Sequence, residues 1–242
     1  MSQQTVTEST NTAEPLTWAP RSHDARLRLL LTAERLYAEH GLEAVSLRQI
    51  CRAAGNGNNN AVQYHFGGER GLLAAIVAHR VPPLDQRRAE LLATGRTHGR
   101  DQTVRGLFDV LMRPLAEEAR RPDSYYVGFL GRFGAHPLED HPWWAGGRPA
   151  GEVGHEVSLA ILDLLAEVPR PLRALRLSHM VRLCLAALAG YDRIPAGKPD
   201  GPYPGTGGEI SYELYVTDLF DMAAAALTAP LSAESHAGPG PD

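Results

Sequence analysis

The sequence predicts an all-α chain in which a short helix-turn-helix unit precedes a larger helical domain. Apolar residues recur at three- and four-residue intervals almost throughout, and no alternating strand pattern interrupts them. The breaks between these stretches fall where glycine and proline gather, and 24 Gly and 18 Pro in 242 residues supply enough of both to end every helix. With 43% apolar and 21% charged residues the chain has ample material for a buried core, which excludes simple disorder and collagen.

Residues 1–20 are polar, lack an apolar period and are expected to form a disordered arm. Helices are expected near 23–40, 46–53 and 58–65, then 69–94 with a break at Pro82-Pro83, and then 102–120, 123–134, 150–167, 171–191 and 209–228. The first carries Leu27, Leu30, Ala33, Leu36 and Tyr37 on one face and stops at Gly41, a residue suited to the left-handed conformation. The second starts at a defined point, because Ser46-Leu47-Arg48-Gln49 has the pattern of a capping box. It presents Leu47, Ile50 and Ala54 inward, and Gly55 then opens a turn to which Asn56 and Gly57 belong. Val62 and Phe66 anchor the third helix. Pro114 removes a backbone donor and is expected to loosen 102–120 locally. In 192–208, glycine and proline are too dense for a regular element, so an exposed connection is expected, and 229–242 is a second polar tail. This divides the chain into a domain at 21–80 and another at 81–228.

A net charge of −4 argues against a nucleic-acid partner, but its distribution does not. Residues 21–80 hold eight arginines against five acids, about +3, which leaves about −7 for the remainder. Cys51 and Cys184 form no CxxC pair, so neither a disulfide framework nor a structural zinc site is available. The chain has no run of eighteen apolar residues and its start lacks the features of a signal peptide, so a soluble, cytoplasmic protein without a cofactor is expected.

Two short helices joined by a glycine-containing turn and braced by a longer one are the parts of a helix-turn-helix unit. Asn58, Asn59, Asn60 and Gln63 stand where the second of them enters a groove, and Asn and Gln can pair bidentately with adenine. Arg48, Tyr64, His65 and Arg70 surround them and can all bond phosphate oxygens. Residues 24–80 resemble the DNA-binding domain of TetR-family transcriptional regulators, through Ala33, Leu36-Tyr37, Gly41, Ser46-Leu47-Arg48-Gln49-Ile50, Ala54-Gly55, Val62, Tyr64-His65-Phe66 and Leu72-Leu73. The resemblance implies a homodimer that binds a palindromic double-stranded DNA operator, usually as a repressor, and is released by a small molecule held in the second domain. Three departures stand out. The turn between Ala54-Gly55 and Phe66 is one residue longer than the usual pattern. Gln63 stands where the family commonly has Tyr, and Glu69 replaces its phosphate-binding Lys, which shifts that role to Arg70.

Beyond residue 95 the reading is architectural. The stretches 171–191 and 209–228 are apolar over more than one stripe, with Leu172, Leu175, Met180, Leu183, Leu185 and Leu188 on the first and Leu214, Leu219, Phe220, Met222, Ala223 and Ala226 on the second. One stripe serves the core, and the surplus fits a second subunit. Phe108, Met112, Tyr125, Tyr126, Phe129, Phe133, Trp143 and Trp144 gather beside a Gly/Pro-broken segment, and an apolar or aromatic effector suits such a wall.

Rival readings have less support. Glu152 and His155 have the spacing of half a di-iron carboxylate site, but no second Glu-x-x-His pair exists. His136, Asp140 and His141 form a metal-ligand group without further ligands. No GxSxG, HExxH, P-loop or GxGxxG occurs, so an enzyme is not expected, and a helical protein-interaction adaptor would show no salt-dependent DNA binding.

Overall fold

The computed structural model describes residues 19–133, 151–191 and 210–232. Among them the regular structure is helical: α1 (Ala19–His40), α2 (Leu47–Ala53), α3 (Ala61–Phe66), α4 (Glu69–Arg96), a 3-10 turn (Arg100–Gln102), α5 (Val104–Ala119), α6 (Tyr126–Phe133), α7 (Gly151–Leu164), α8 (Arg170–Gly190) and α9 (Tyr212–Thr228). Helix starts follow side-chain chemistry. The Ser46 hydroxyl accepts from the Gln49 amide and the Gln49 side chain accepts from the Ser46 amide, which closes the expected box. Thr103 and Ser211 cap α5 and α9 in the same way, by accepting from the amides of Gly106 and Leu214. Gly41, at φ 86°, turns the chain out of α1.

Several expectations are corrected. Ala19 and Pro20 open α1 instead of belonging to the amino-terminal arm. The third helix starts at Ala61 and not at 58, because the carboxamide oxygen of Asn56 accepts from the Asn58 amide at 3.0 Å and that of Asn58 accepts from the Asn60 amide at 2.9 Å. These side-chain turns compete with helix over the same backbone donors and win. α4 runs unbroken through Pro82 and Pro83. Both prolines, like Ala78 and His79 one turn earlier, are exposed, so the carbonyls that lose a donor face water, while the buried side of α4 is held by α1, α3, α5 and α7. α5 likewise passes through Pro114 without a break. α6 starts at Tyr126, three residues after its expected position, and α7 ends at Leu164, although Leu165 and Val168 beyond it remain buried. The arm at 1–18, the connection at 192–208 and the tail beyond 232 lie outside the described residues.

One continuous apolar core joins the nine helices of the described residues. α1 packs on α6, α4 lies between α1–α3 and α5 with α7, and α8 pairs with α9 over α5 and α6. The ends of α4 thus lie on both parts of the molecule. At its start it packs on α3, and near its middle it carries Arg80 and Asp85. The Asp85 carboxylate accepts from the amides of Val153 and Gly154 at 3.1 and 2.8 Å, an anion seated on the first turn of α7. Gly151 leaves room for it, since a Cβ there would lie 2.4 Å from the carboxylate carbon.

Candidate nucleic-acid interface

The short helix α3 presents one face to solvent and one to the core. Ala61 and Val62 are buried, Gln63 and Tyr64 are exposed, and Tyr64 is three-quarters accessible. His65 is half-buried, with its ring edge-on to Tyr64 at 5.0 Å and to Phe66 at 6.2 Å. The guanidinium of Arg26, on α1, lies 4.8 Å from the centre of the Phe66 ring and ties the two helices at this end. Of the asparagines read as groove-facing, Asn58 has its side-chain oxygen engaged in the turn. Asn59 and Asn60 are exposed at the start of α3, where Asn60 is the residue before the first turn but makes no side-chain cap. The Asn59 carbonyl accepts from the buried Cys51 thiol at 3.6 Å. Arg48 on α2 and Arg70 on α4 are exposed on either side of α3.

Glu69 has a role that sequence reading missed. Its carboxylate accepts from the Tyr37 hydroxyl at 3.2 Å, which ties the start of α4 to the last turn of α1. Burial, followed by the charge and hydrogen bond of Glu69, pushes the Tyr37 phenol well above its ordinary range, so the hydroxyl stays a donor. The acid also sits in the first turn of a helix, where a negative charge is favourable.

A second missed group joins α1 to the rest of the chain. Arg80 donates through Nε and Nη2 to both oxygens of Glu34 at 2.7 Å, and through Nη1 to Glu118 at 3.1 Å. Glu34 also accepts from the Tyr125 amide at 3.1 Å, and the other oxygen of Glu118 faces Arg121 at 3.4 Å. Both acids are buried, at 1% and 7% exposure. Burial by itself lowers the Arg80 guanidinium, but the hydrogen bonds and charge of Glu34, then the charge of Glu118, outweigh it and hold the group above its ordinary value. One arginine thereby links α1, α4, α5 and the start of α6.

Residues 29–76 match the family described as bacterial regulatory proteins, tetR family. Residues 29–76 are thus a helix-turn-helix domain of the TetR type. No curated protein sequence matches the chain. Among solved structures, a TetR family transcription regulator from Marinobacter aquaeolei VT8 is similar over 86% of this chain and 97% of its own, with 17% identity and a TM-score of 0.49. NalD, the secondary repressor of the MexAB-OprM multidrug efflux pump in Pseudomonas aeruginosa, is similar over 85% and 96%, with 18% identity and a TM-score of 0.49. The match covers α2 and α3, the short pair joined by a turn, and the Glu34–Arg80–Glu118 group ties the matched domain to α5.

The residues read as an effector wall separate in the fold. Phe108, Met112, Tyr126 and Phe129 are core residues, at 0%, 0%, 3% and 0% exposure. Phe108 packs edge-on against Phe220 of α9 at 5.8 Å, and Phe129 packs against Tyr37 and Tyr126. Only Tyr125 reaches a described cavity. This cavity, of about 600 Å³, lies between the ends of α1, α5 and α8 and the outer side of α6. Another, of about 710 Å³, lies against α1 and α2 and is lined by Leu36, Glu39, His40, Gln49 and Arg52. The Phe133 side chain, Trp143 and Trp144 lie outside the described residues.

The metal-ligand candidates are likewise only partly in view. Glu152 and His155 sit on α7, and among the described residues no group of three or more His, Cys, Asp or Glu is placed to hold a metal ion. His136, Asp140 and His141 lie outside the described residues. No helix among them is long and apolar enough to cross a membrane. Both cysteines are buried thiols, and burial pushes Cys184 up to about 12.

Proposed function

We propose that the chain is a homodimeric, cytoplasmic repressor that binds a palindromic operator through α3 and leaves it when a small molecule binds the carboxy-terminal helices. The observation that carries the reading is the exposed pair Gln63 and Tyr64 on a six-residue helix whose other side is sealed by Ala61 and Val62. In this reading Gln63 reads a base edge, Asn59 and Asn60 meet the groove at the start of α3, and Asn58 shapes the turn. Arg48, Tyr64, His65 and Arg70 hold phosphates. The DNA-binding domain extends to residue 80 and the effector and dimer functions occupy 81–228.

Dimerisation rests on apolar side chains that the monomer leaves open. Leu175 and Leu183 on α8 and Leu214 and Met222 on α9 are about half exposed, although both helices also bury a full stripe. A partner's α8 and α9 would cover them and fix two recognition helices roughly 34–36 Å apart, as successive major grooves require. Phe108, Met112, Tyr126 and Phe129 are packed, so an apolar or aromatic effector received there has to part α5 from α6; Tyr125 stands exposed beside them, and Phe133, Trp143 and Trp144 stay in the proposed set of contacts. Since α6 packs on α1, such a movement reaches the head.

Selection of bound duplexes from a random pool tests the whole reading, with a recovered palindrome as the expected result. Within it, Tyr64→Ala or Arg48→Ala weakens binding about equally on all duplexes, because phosphate contacts carry no base information. Gln63→Ala relaxes preference at a single base pair by about 1–3 kcal/mol. Binding that is equal on every duplex and indifferent to salt contradicts the assignment.

A further inference from the structure

The cavity between the ends of α1, α5 and α8 and the outer side of α6 has a lining unlike that of an apolar effector pocket. Arg120, Arg121 and Arg132 all border it, together with Ser124 and Tyr125, and Glu39 is the acid among its lining residues. Glu39 is itself paired with Arg35 at 3.3 Å. The cavity therefore has a positive surplus at the place where the DNA-binding head meets the rest of the chain.

Each arginine is held at one edge by a contact of its own. Arg132 donates through Nε and Nη2 to the carbonyls of Ala38 and Glu39 at the end of α1, at 3.3 and 3.2 Å. Arg121 contacts Glu118 through Nη1 at 3.4 Å, and Arg120 lies over the rings of Tyr191 and Tyr212 at 5.6 and 5.1 Å. A guanidinium carries five N–H donors in a planar fork. Among the described residues, these contacts leave Nη1 of Arg132 and both Nε and Nη2 of Arg121 to face a ligand. Arg120 and Arg121 follow the end of α5, and Arg132 in the last turn of α6 also meets the end of α1, so the helix dipoles favour cations here. That preference does not account for a cavity of about 600 Å³ left open among them. Small side chains create that space. Ala38, Ala186 and Ala189 line it, with Gly128 and Gly131 on α6, beside Val127, Leu188 and the polar Ser124 and Tyr125.

We propose that this cavity is a binding site for a small dianion, a dicarboxylate or phosphoryl compound gripped by Arg121 and Arg132 with Arg120 at its rim. Fork-to-oxygen pairs of this kind are the strong, directional form of anion recognition. The site borders the apolar effector region through Tyr125, and it does not depend on the chain's binding DNA. An occupant on the free edge of Arg121 shares that guanidinium with Glu118, and Glu118 is bonded to Arg80, which holds Glu34 on α1. The anion thus touches the outermost member of this polar network.

The test uses the full-length protein and two probes, sodium phosphate and sodium phthalate, each compared with sodium chloride at equal ionic strength. Both probes are expected to raise Tm in a saturable way, and calorimetric titration is expected to give a defined dissociation constant. Arg121 is two-thirds exposed, so Arg121→Gln leaves the fold intact and is expected to weaken both probes about tenfold or more. Arg132→Gln is expected to do the same. Arg87→Gln, which removes an exposed arginine paired with Glu117 elsewhere on the surface, is expected to leave the constant unchanged. A thermal shift no larger than that with chloride overturns the site. So does a loss in Arg87→Gln equal to that in Arg121→Gln, which would report only net charge.

Discussion

Replacing Arg80 with alanine is expected to destabilise the fold by about 3–5 kcal/mol, because it leaves two carboxylates buried without their cation. For a chain of this length that corresponds to a fall in Tm of roughly 10 °C. Glu34 is the more costly of the pair. Both its oxygens receive Arg80 at 2.7 Å, and its 1% exposure leaves no route to water. The Tyr125 amide that it also accepts would remain, but one neutral donor does not offset a buried negative charge. The loss measures the orphaned acids and not the worth of the network, and a second variant separates the two. Glu34→Gln with Glu118→Gln in the Arg80→Met background removes Arg80 and both buried acids, leaves only the exposed Arg121 charged, and is expected to recover most of the stability. Chemical denaturation of the three proteins checks this. Equal stability in wild type and Arg80→Ala would show that the group is hydrated and holds nothing.

The same network shows where sequence reading ends. The capping box at Ser46 and Gln49, the stop at Gly41 and the apolar stripe of α1 were legible because each is a pattern among neighbours within a turn or two. Arg80 and Glu34 are separated by 46 positions, Arg80 and Glu118 by 38, and Tyr37 and Glu69 by 32. No period in the sequence marks such a pair. What could have drawn attention is the position of the acid: Glu34 lies beside Ala33 and one turn from Leu30 and Tyr37, on the face of α1 that is otherwise apolar. A charge on a buried stripe requires a partner.

Other departures came from local rules that tertiary packing overrode. Proline pairs break isolated helices, yet α4 continues because its prolines fall on the wet side of a helix clamped along the other. The asparagine run could be read as helix or turn, and the choice was made by carboxamide oxygens closing onto amides two residues ahead, which periodicity does not register. The aromatic residues between 108 and 133 are close in sequence, and closeness was taken for a shared wall. Tyr126 and Phe129 do stack on each other, but Phe108 packs on Phe220 of α9 and Phe129 also meets Tyr37 of α1. Glu69 was read against a phosphate, but the buried phenol beneath it gives that carboxylate a partner inside the protein.

Gly71→Ala is expected to separate α3 from α4 and to remove DNA binding by a protein that still folds. A Cβ at this position would lie 1.7 Å from the Phe66 carbonyl oxygen and 2.9 Å from its carbon. Backbone atoms cannot rotate aside as a side chain does, so one of the two helices must shift. α4 is fixed by Leu72, Leu73, Ile76 and Val77, all buried, and by the Tyr37–Glu69 bond. α3 is six residues long, is joined to α4 by the turn at Gly67 and Gly68, and buries only Ala61 and Val62, so α3 is the part that gives way. In an ordinary helix interior, glycine to alanine stabilises by about 1 kcal/mol. Here overpacking of about 1–3 kcal/mol opposes that gain, which makes the net stability change smaller than the displacement of Gln63 and Tyr64 that relieves the contact. Gly57→Ala is the control, since nothing lies within 4 Å of a Cβ there and its backbone is not in the left-handed region. Denaturation midpoints and duplex affinity measured on both variants distinguish the outcomes. A Gly71→Ala protein with higher stability and unchanged affinity would mean that α3 and α4 do not approach this closely, and that the orientation of the recognition helix is set by some other contact.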